Sequence, residues 1–283
     1  MSVISDADLT LQEAADLLGV HYMTAYRYVR LGLLPAAKVG GTWQVAAADV
    51  AAFRDGAAPA TDAGSRRRAP WATRLEARLV AGDARGAWGV VEAALAAGAD
   101  LDEIYLDVIS PAMRNIGSRW AAGEIDISVE HRATGIAFRL LGRLGPRFAR
   151  RGRTRGTIVL GAPMGERHSL PVAMLADLLR GEGWEVSDLG ADLPAASFVG
   201  SVLSTPGLVA VGVSVTSPEC LPAAAGLIEA LHAAVPAVPV VVGGAAVEGD
   251  EHAGSLGATA WASSAATLAS LLADGSGLTA SST

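Results

Sequence analysis

The spacing of apolar residues predicts that the middle of the chain is helical. Between Trp71 and about Leu144, apolar side chains recur every three or four residues, which places them on one face of a helix. Two such sets are Ala87, Val90, Val91, Ala94 and Leu95, and Ile104, Val108, Ile109, Met113 and Ile116. Gly98 and Gly123 interrupt the pattern as helix ends. We therefore predict a four-helix bundle over residues 71–150.

The pattern changes after a basic, glycine-rich stretch at residues 145–156. Short apolar runs then alternate with helical patterns, which predicts a doubly wound, flavodoxin-like α/β domain with a five-stranded parallel sheet over residues 151–274. The predicted strands are Thr157–Ala162, Trp184–Asp188, Leu208–Val215, Val238–Val242 and Ala258–Trp261. Residues 275–283 are rich in Gly, Ser and Thr, and we expect them to form a flexible tail.

Residues 1–56 carry short helical patterns of a different kind. Residues 9–20 predict a helix that opens with a capping box between Thr10 and Glu13, and a second helix runs from about Tyr22 to Leu31. Residues 38–45 then predict a strand, a glycine turn and a strand. This order predicts a winged helix-turn-helix, which we class as all-α. Residues 57–70 are small, polar and basic, as in a linker.

Length and composition bound the class of protein. With 283 residues, 51% of them hydrophobic, the chain can bury the cores of two or three domains. The formal net charge of −7 gives no general attraction to nucleic acid, so any DNA contact has to come from a local patch. Cys220 is the one cysteine, and neither a signal segment nor a membrane-spanning apolar run is evident. We expect a protein of the cytoplasm that does not enter a membrane.

Candidate ligand-binding residues stand at the ends of three predicted strands. They are Glu166 and His168 after the first, Ser214 and Thr216 at the end of the third, and Gly243 and Gly244 after the fourth. Because the carboxyl ends of parallel strands meet at one edge of a sheet, these residues are expected to lie together. A carboxylate beside a histidine can hold one ring nitrogen while the other binds a metal. The pattern predicts a ligand site with His168 as a metal ligand.

This set of residues resembles the cobalamin-binding domain of methionine synthase and its relatives. There the motif is Asp-x-His-x-x-Gly, followed by Ser-x-Thr or Ser-x-Leu and then Gly-Gly; here it is Glu-x-His-x-x-Pro, ending at Pro171. The resemblance implies that His168 displaces the cofactor's own benzimidazole and binds cobalt from below, with Glu166 behind it. It also implies that the displaced nucleotide tail lies against Ser214, Thr216, Gly243 and Gly244.

The first 56 residues resemble the winged helix-turn-helix domains of the MerR and excisionase type. In that family the second helix enters the major groove and the wing touches phosphates. The resemblance implies contacts to double-stranded operator DNA from His21, Thr24, Arg27, Arg30, Lys38 and Thr42. One such domain binds weakly, but several copies in an oligomer raise the effective concentration. A small protein-interaction domain is the alternative.

Trp120 is followed by nine residues and then by the pair Glu130 and His131. This spacing, and the order of the three predicted domains, resemble the CarH-type transcriptional repressors, which sense light through adenosylcobalamin. The resemblance implies that Trp120 and Ile127 wall the adenosyl pocket, that Glu130 accepts hydrogen bonds from ribose hydroxyls, and that His131 completes the pocket. Those repressors have a histidine directly after the tryptophan, where this chain has Ala121.

The same resemblance implies a function. The chain would be a light-responsive repressor and not an enzyme. It would bind its operator in the dark as an adenosylcobalamin-dependent homo-oligomer such as a tetramer. Light would cleave the cobalt–carbon bond, and the oligomer would dissociate. Two alternatives remain open: a cobalamin sensor without light function, and a corrinoid protein that carries methyl groups. Residues 1–56 count against the methyl carrier, because such carriers normally lack a DNA-binding module.

Overall fold

The computed structural model describes residues 8–18, 25, 26, 28, 29, 34–39, 42–54, 70–150 and 152–274. Contacts between Cα atoms divide the chain into two compact units, residues 1–68 and 69–283. The predicted linker lies outside the described residues except for its last residue, Pro70. The predicted tail at 275–283 also lies outside them. So do four of the predicted DNA-contacting residues, His21, Thr24, Arg27 and Arg30.

The first unit contains a three-stranded antiparallel sheet in the order β1-β3-β2. Its elements are β1 (Asp8–Thr10), α1 (Leu11–Leu18), β2 (Ala37–Val39), β3 (Thr42–Ala46) and α2 (Ala47–Arg54). Residues 25, 26, 28 and 29 are also helical. The all-α classification of this part is wrong, because β3 pairs with β2 on one side and with β1 on the other. The sequence pattern does not reveal β1, since three residues are too few to show a period.

The start of α1 confirms the predicted capping box. The backbone N–H of Thr10 donates to Oε2 of Glu13 at 2.8 Å, and the backbone N–H of Glu13 donates to Oγ1 of Thr10 at 3.3 Å. These two bonds satisfy N–H groups that have no partner within the helix. The hairpin is present as well, because Val39 lies opposite Thr42 across the β2–β3 pair.

The second unit begins with helical segments that share one apolar core. They are α3 (Trp71–Val80), α4 (Ala84–Ala96), α5 (Leu101–Glu103), α6 (Ser110–Ala121) and α7 (Ile127–Leu144), with a π-helical segment at Ile104–Ile109 between α5 and α6. Aspartates fix three of the helix starts, since Asp83, Asp100 and Asp126 each accept a backbone N–H of the first turn. Among the described helices, none combines the length and apolar character that a membrane span needs.

The predicted five-stranded parallel sheet is confirmed, with the order β5-β4-β6-β7-β8. The elements are β4 (Thr157–Gly161), α8 (Ser169–Gly181), β5 (Glu185–Asp188), α9 (Ala195–Leu203), β6 (Leu208–Ser214), α10 (Leu221–Ala234), β7 (Val240–Gly243), α11 (Asp250–Ser255), β8 (Ala260–Ala262) and α12 (Ala265–Asp274). Each strand of this sheet begins and ends within two residues of the predicted position. The order of strands reverses between β4 and β6, which opens a crevice at their carboxyl ends.

Helix α8 joins the helical layer to the sheet. One side of it, carrying Leu170, Met174 and Leu178, belongs to the core of the helical segments. The other side, which includes Val172 and Leu179, packs with β4 and β5. The loop that carries His168 precedes α8, so both layers fix the position of this loop.

Candidate functional site

A cavity of about 1220 Å³ lies between α6, α7 and the carboxyl edge of the sheet. It is larger than the roughly 300–1,000 Å³ of ordinary small-molecule sites, which suits a large cofactor. The predicted binding residues from two distant parts of the sequence meet here. Those that line it are Trp120, Ile127, Glu130, His131, His168, Ser214, Thr216, Gly243 and Gly244.

Glu166 does not line the cavity but holds the histidine that does. Its side chain is fully buried, and its Oε1 lies 2.5 Å from Nδ1 of His168. The backbone N–H of His168 donates to the same oxygen at 3.0 Å. The other oxygen, Oε2, accepts the backbone N–H groups of Thr216 and Ser217 at 2.7 and 2.8 Å. Glu166 therefore ties the loop after β4 to the loop after β6.

These contacts decide the charge of Glu166. Burial alone would raise the pKa of its carboxyl, but the hydrogen bonds from Ser217, His168 and Thr216 together outweigh burial, so the pKa lies below its usual value. An ionised carboxylate accepts a hydrogen bond from the N–H group at Nδ1 of His168, which leaves the lone pair on Nε2. The imidazole is 51% exposed. A metal that approaches His168 from the cavity would meet this lone pair.

The chemistry of this donor set fits a cobalt corrinoid. Among the described residues, no group of three or more His, Cys, Asp or Glu side chains is placed to hold a bare metal ion. A corrin ring brings its own equatorial nitrogens, so one oriented imidazole is the ligand that the protein has to provide. His168, held by a buried carboxylate, has the arrangement found behind metal-binding histidines.

The loop that carries His168 is fixed at its other end by Asp192. The backbone N–H of Gly165 donates to Oδ1 of Asp192 at 2.7 Å, and the backbone N–H of Asp192 donates to the carbonyl of Glu166 at 2.7 Å. Pro171 is the third residue of α8. The first four backbone N–H groups of a helix have no partner within the helix, so a proline at this position costs no helical hydrogen bond.

The helical side of the cavity exposes large apolar groups. Trp120 is 45% exposed at the end of α6, and Ile127 is 40% exposed at the start of α7. Glu130 lies one turn further, where its carboxylate contacts Nδ1 of His131 at 2.9 Å and accepts the Thr134 hydroxyl at 2.8 Å. An apolar wall with a carboxylate beside it can cover a ring and bind hydroxyl groups.

Gly243 and Gly244 border the cavity, and the backbone around them leaves no room for a side chain. A Cβ atom on Gly243 would lie 2.4 Å from the carbonyl oxygen of Ala262. On Gly244 it would lie 2.3 Å from the carbonyl oxygen of Val215, and the φ angle of Gly244 is 106°. Both glycines are therefore required by the packing of the strand ends, whatever the cavity holds.

Sequence reasoning missed several polar residues of the cavity. Ser110, Arg114 and Thr134 line its helical side, and Arg114 bonds Oγ of Ser110 at 2.5 Å. Ser217 lines the sheet side and lies 3.4 Å through its hydroxyl from Nδ1 of His168. Ser217 could have been found, since it directly follows the Ser-x-Thr motif. The helical residues have no comparable signal.

Two of the predicted DNA-contacting residues lie within the described part of the chain. Lys38 is the middle residue of β2, and Thr42 is the first residue of β3. The Lys38 ammonium lies 5.8 Å from the centre of the Trp43 ring, within the range of a cation–π contact. Both residues therefore belong to the β2–β3 hairpin.

Three family profiles match the chain, in the order expected from its sequence. Residues 9–57 match a helix-turn-helix domain. Residues 71–144 and 156–268 each match a B12 binding domain. The chain thus combines a helix-turn-helix domain with cobalamin-binding domains.

Among curated proteins, the chain is 33% identical over 154 residues to the HTH-type transcriptional repressor CarA of Myxococcus xanthus, covering 50% of this chain and 47% of CarA. It is 30% identical over 118 residues to trimethylamine corrinoid protein 1 of Methanosarcina acetivorans, covering 39% of this chain and 52% of that protein. The chain spans about half the length of these relatives. The chain is thus similar over part of its length to a helix-turn-helix repressor and to a corrinoid protein.

A solved structure shares the fold of a large part of the chain. The monomethylamine corrinoid protein of Methanosarcina barkeri has a TM-score of 0.60 and 23% identity. The match covers 71% of this chain and 95% of that protein. At this identity the likeness concerns the fold alone.

Proposed function

We propose that the chain is a light-responsive repressor, which binds operator DNA as an adenosylcobalamin-dependent oligomer and releases it after photolysis. One observation carries this proposal: an oriented histidine, His168, and an exposed tryptophan, Trp120, face the same cavity from opposite layers. The similarity to a helix-turn-helix repressor and to corrinoid proteins supports it. The chain would act by binding and not by catalysis.

On the sheet side, His168 would bind cobalt through Nε2, while Glu166 keeps the imidazole in the required tautomer. Ser214 and Thr216 would line the space for the nucleotide tail. Gly243 and Gly244 would let that tail pass against bare backbone. Adenosylcobalamin, when bound, supplies a cobalt–carbon bond that light can cleave.

On the helical side, Trp120 and Ile127 would pack against the adenosyl group. Glu130 would accept hydrogen bonds from its ribose, and His131 would complete the pocket. A ligand shifts an equilibrium only by its differential affinity for two states. Loss of the adenosyl group would remove the contacts of this wall, so the helical layer would no longer be held in the dark arrangement.

For DNA binding we propose a winged helix-turn-helix over residues 1–56, joined by a linker at 57–70 to a four-helix bundle at 71–150 and a cobalamin domain at 151–274. His21, Thr24, Arg27 and Arg30 would lie at the major groove. Lys38 and Thr42 would contact phosphates from the β2–β3 hairpin. A tetramer in the dark would present several such domains at once.

The test is gel filtration with adenosylcobalamin bound, in the dark and after green light, with an absorption spectrum of each peak. We expect a coloured oligomer that dissociates on illumination, together with loss of operator binding. A cofactor-bound protein whose size and DNA affinity are the same in the dark and after illumination would contradict light sensing. Protein that elutes without the cofactor would contradict the cavity assignment.

Ala121 favours a second candidate, a cobalamin sensor that does not use light. Alanine at this exposed position, the last residue of α6, cannot ligate cobalt as the histidine of the light-sensing repressors does. Under this candidate, cofactor binding alone would set the oligomer and its affinity for DNA. The dark and illuminated samples of the same experiment separate the two candidates.

A further inference from the structure

A run of arginines without any acidic residue connects the helical layer to the sheet. Residues 131–165 contain eight arginines and no aspartate or glutamate. The whole chain has 22 basic and 29 acidic residues, so this positive stretch stands out in an acidic protein. The arginines are Arg132, Arg139, Arg143, Arg147, Arg150, Arg151, Arg153 and Arg155, of which Arg151 lies outside the described residues.

Arg139, Arg143 and Arg147 form a stripe along α7 and the helical turn Gly145–Arg147 that extends it. Their spacing of four residues places them on the same side of the helix. All three are exposed, and they lie beside the stripe of α7 that packs into the core. Eight residues of helix span about 12 Å, so the charges form an extended line and not a point.

The arginines of this stripe form no ion pair with a described carboxylate. No described carboxylate lies within 4.0 Å of these three guanidinium groups. Arg139 donates to the carbonyl of Gly135 at 3.1 Å, and Arg143 lies 4.7 Å from the centre of the Trp88 ring. Such contacts orient the side chains but leave their positive charge available.

The positive segment continues beyond the helix. Arg150 and Arg153 are exposed in the stretch that leads to β4, and Arg155 lies 5.6 Å from the centre of the Trp184 ring. Two acidic residues, Asp177 and Asp188, line a shallow groove beside the end of α7. Asp177 is buried and already binds Tyr105 and Arg180, so it does not neutralise the exposed arginines.

We propose that the described arginines of residues 139–155, the arginine segment, bind the phosphate backbone of double-stranded DNA. The proposal rests on the proposed function, which brings DNA to this chain. Guanidinium forks match phosphate oxygens, and a row of them fits an extended polyanion. Phosphate contacts carry no sequence information, but they add affinity that falls with salt. A chain of net charge −7 needs such a local patch to approach DNA.

The test uses the full chain with adenosylcobalamin in the dark and a fluorescent duplex of random sequence. Anisotropy is measured between about 50 and 200 mM salt, the range over which phosphate contacts dominate the affinity. In R139Q/R143Q/R147Q we expect the slope of log affinity against log salt to shrink by about 1 for each arginine that meets a phosphate. Operator and random duplexes are expected to weaken by the same factor.

A matched control removes the same charge from another part of the unit. R74Q/R78Q/R85Q alters three exposed arginines of α3 and α4, and should leave the salt slope near that of the unaltered chain. A second variant, R147Q/R150Q/R153Q, leaves the body of α7 intact and is expected to lower the slope as well. Circular dichroism and the cofactor spectrum show whether each variant is folded.

Equal slopes in the unaltered chain and in both arginine-segment variants would overturn the proposal. So would an equal drop in the control, which would reflect net charge alone. A loss of binding to phosphatidylserine vesicles without any change on DNA would assign the segment to a membrane surface instead. Failure of the proposed function would give a different result. The unaltered chain would then show no operator footprint, while the salt slopes of the unaltered chain and the arginine-segment variants would still differ on the random duplex.

Discussion

The hydroxyl of Tyr105 donates a hydrogen bond to Oδ2 of Asp177 at 2.8 Å, although 72 residues separate them. Tyr105 lies in the π-helical segment Ile104–Ile109, and Asp177 lies on α8, the helix that follows the His168 loop. Both side chains are buried, and Arg180 binds the other oxygen of Asp177 at 2.9 Å. This bond ties the helical layer to α8, the helix that follows the His168 loop.

Tyr105→Phe should therefore destabilise the second unit. The substitution removes a hydrogen bond to a charged acceptor and leaves Asp177 with Arg180 as its partner, so we expect a loss of about 1–3 kcal/mol in the free energy of unfolding. Urea denaturation measures it. Tyr28→Phe in the first unit, where the tyrosine packs on Phe53, is the matched control. A midpoint equal to that of the control would contradict the role of this bond.

The buried hydroxyl of Tyr105 should also make the free energy of unfolding fall at alkaline pH. Burial raises the pKa of Tyr105 above its ordinary value of 10.0, and the hydrogen bond and charge of Asp177 raise it further. Because the folded-state pKa is the higher one, its contribution is complete below pH 10 and is lost as pH rises above it, by at most about 1.4 kcal/mol per pH unit. Tyr105→Phe should lack this component, which urea denaturation at several alkaline pH values tests.

Glu166→Gln should weaken cofactor binding more than its small change in size suggests. Each carboxylate oxygen faces two N–H donors, so the amide group of glutamine meets donors whichever way it is turned. We expect cobalamin affinity to fall about 10- to 100-fold, as for other changes behind a metal ligand. A spectral titration measures it, with the exposed Glu185→Gln as control. Equal affinities would show that Glu166 does not orient His168.

Acid should release the same contacts. The pKa of Glu166 lies below its ordinary value of 4.5, because its hydrogen bonds outweigh burial. A depressed pKa means that the stabilisation is present above that ordinary value and is lost as pH falls through the folded-state pKa. Acid unfolding of Glu166→Gln should start from a lower stability and lack this component. If the unfolding free energies of Glu166→Gln and of the unaltered chain fell in parallel as the pH is lowered, the prediction would be wrong.

His168→Ala tests directly the proposal that His168 is a metal ligand. Without the imidazole, the spectrum of bound cobalamin should lose the signature of a nitrogen ligand from the protein, and binding should weaken. His232→Ala is the control, since His232 contacts the carbonyl of Gly257 and does not line the cavity. A bound spectrum unchanged by His168→Ala would make the assignment of His168 wrong.

The sheet was predictable because its strands are buried and uninterrupted. Val240–Gly243 and Thr157–Gly161 are apolar runs bounded by turn residues, so their positions follow from local pattern. The residues that follow such strands meet at one edge by topology, which is why His168 and Ser214 could be assigned together.

Contacts between layers could not be predicted in this way. Tyr105 has the same helical spacing as its apolar neighbours, and nothing in its surroundings indicates Asp177 as a partner. Ser110 and Arg114 were missed because no sequence signal marks these helical residues as lining the cavity. In the first unit, β1 was missed because its pairing with β3 is a tertiary contact between short segments.

Trp120→Ala should separate ligand binding from folding. Trp120 is 45% exposed, so the free energy of unfolding without cofactor should change by at most about 0.5–1 kcal/mol. Affinity for adenosylcobalamin should fall at least about tenfold, because a tryptophan offers a large apolar surface to the ligand. Leu203→Ala, 62% exposed and outside the cavity, should change neither quantity. Unchanged affinity in Trp120→Ala would remove this residue from the pocket.

Gly244→Ala should damage the edge of the sheet itself. The new Cβ atom would lie 2.3 Å from the carbonyl oxygen of Val215, at a φ angle of 106° that alanine rarely adopts. Relief of this overlap requires the loops after β6 and β7 to separate, so we expect a loss of at least about 2 kcal/mol in unfolding free energy, with cobalamin affinity falling as well. Gly226→Ala is the control, because Gly226 lies in α10 with open space around its Cα atom. That control should gain about 0.5–1 kcal/mol from helix propensity. Stability of Gly244→Ala equal to that of the unaltered chain would show that these loops can move apart freely, which would contradict the close packing that places Gly243 and Gly244 at the cavity.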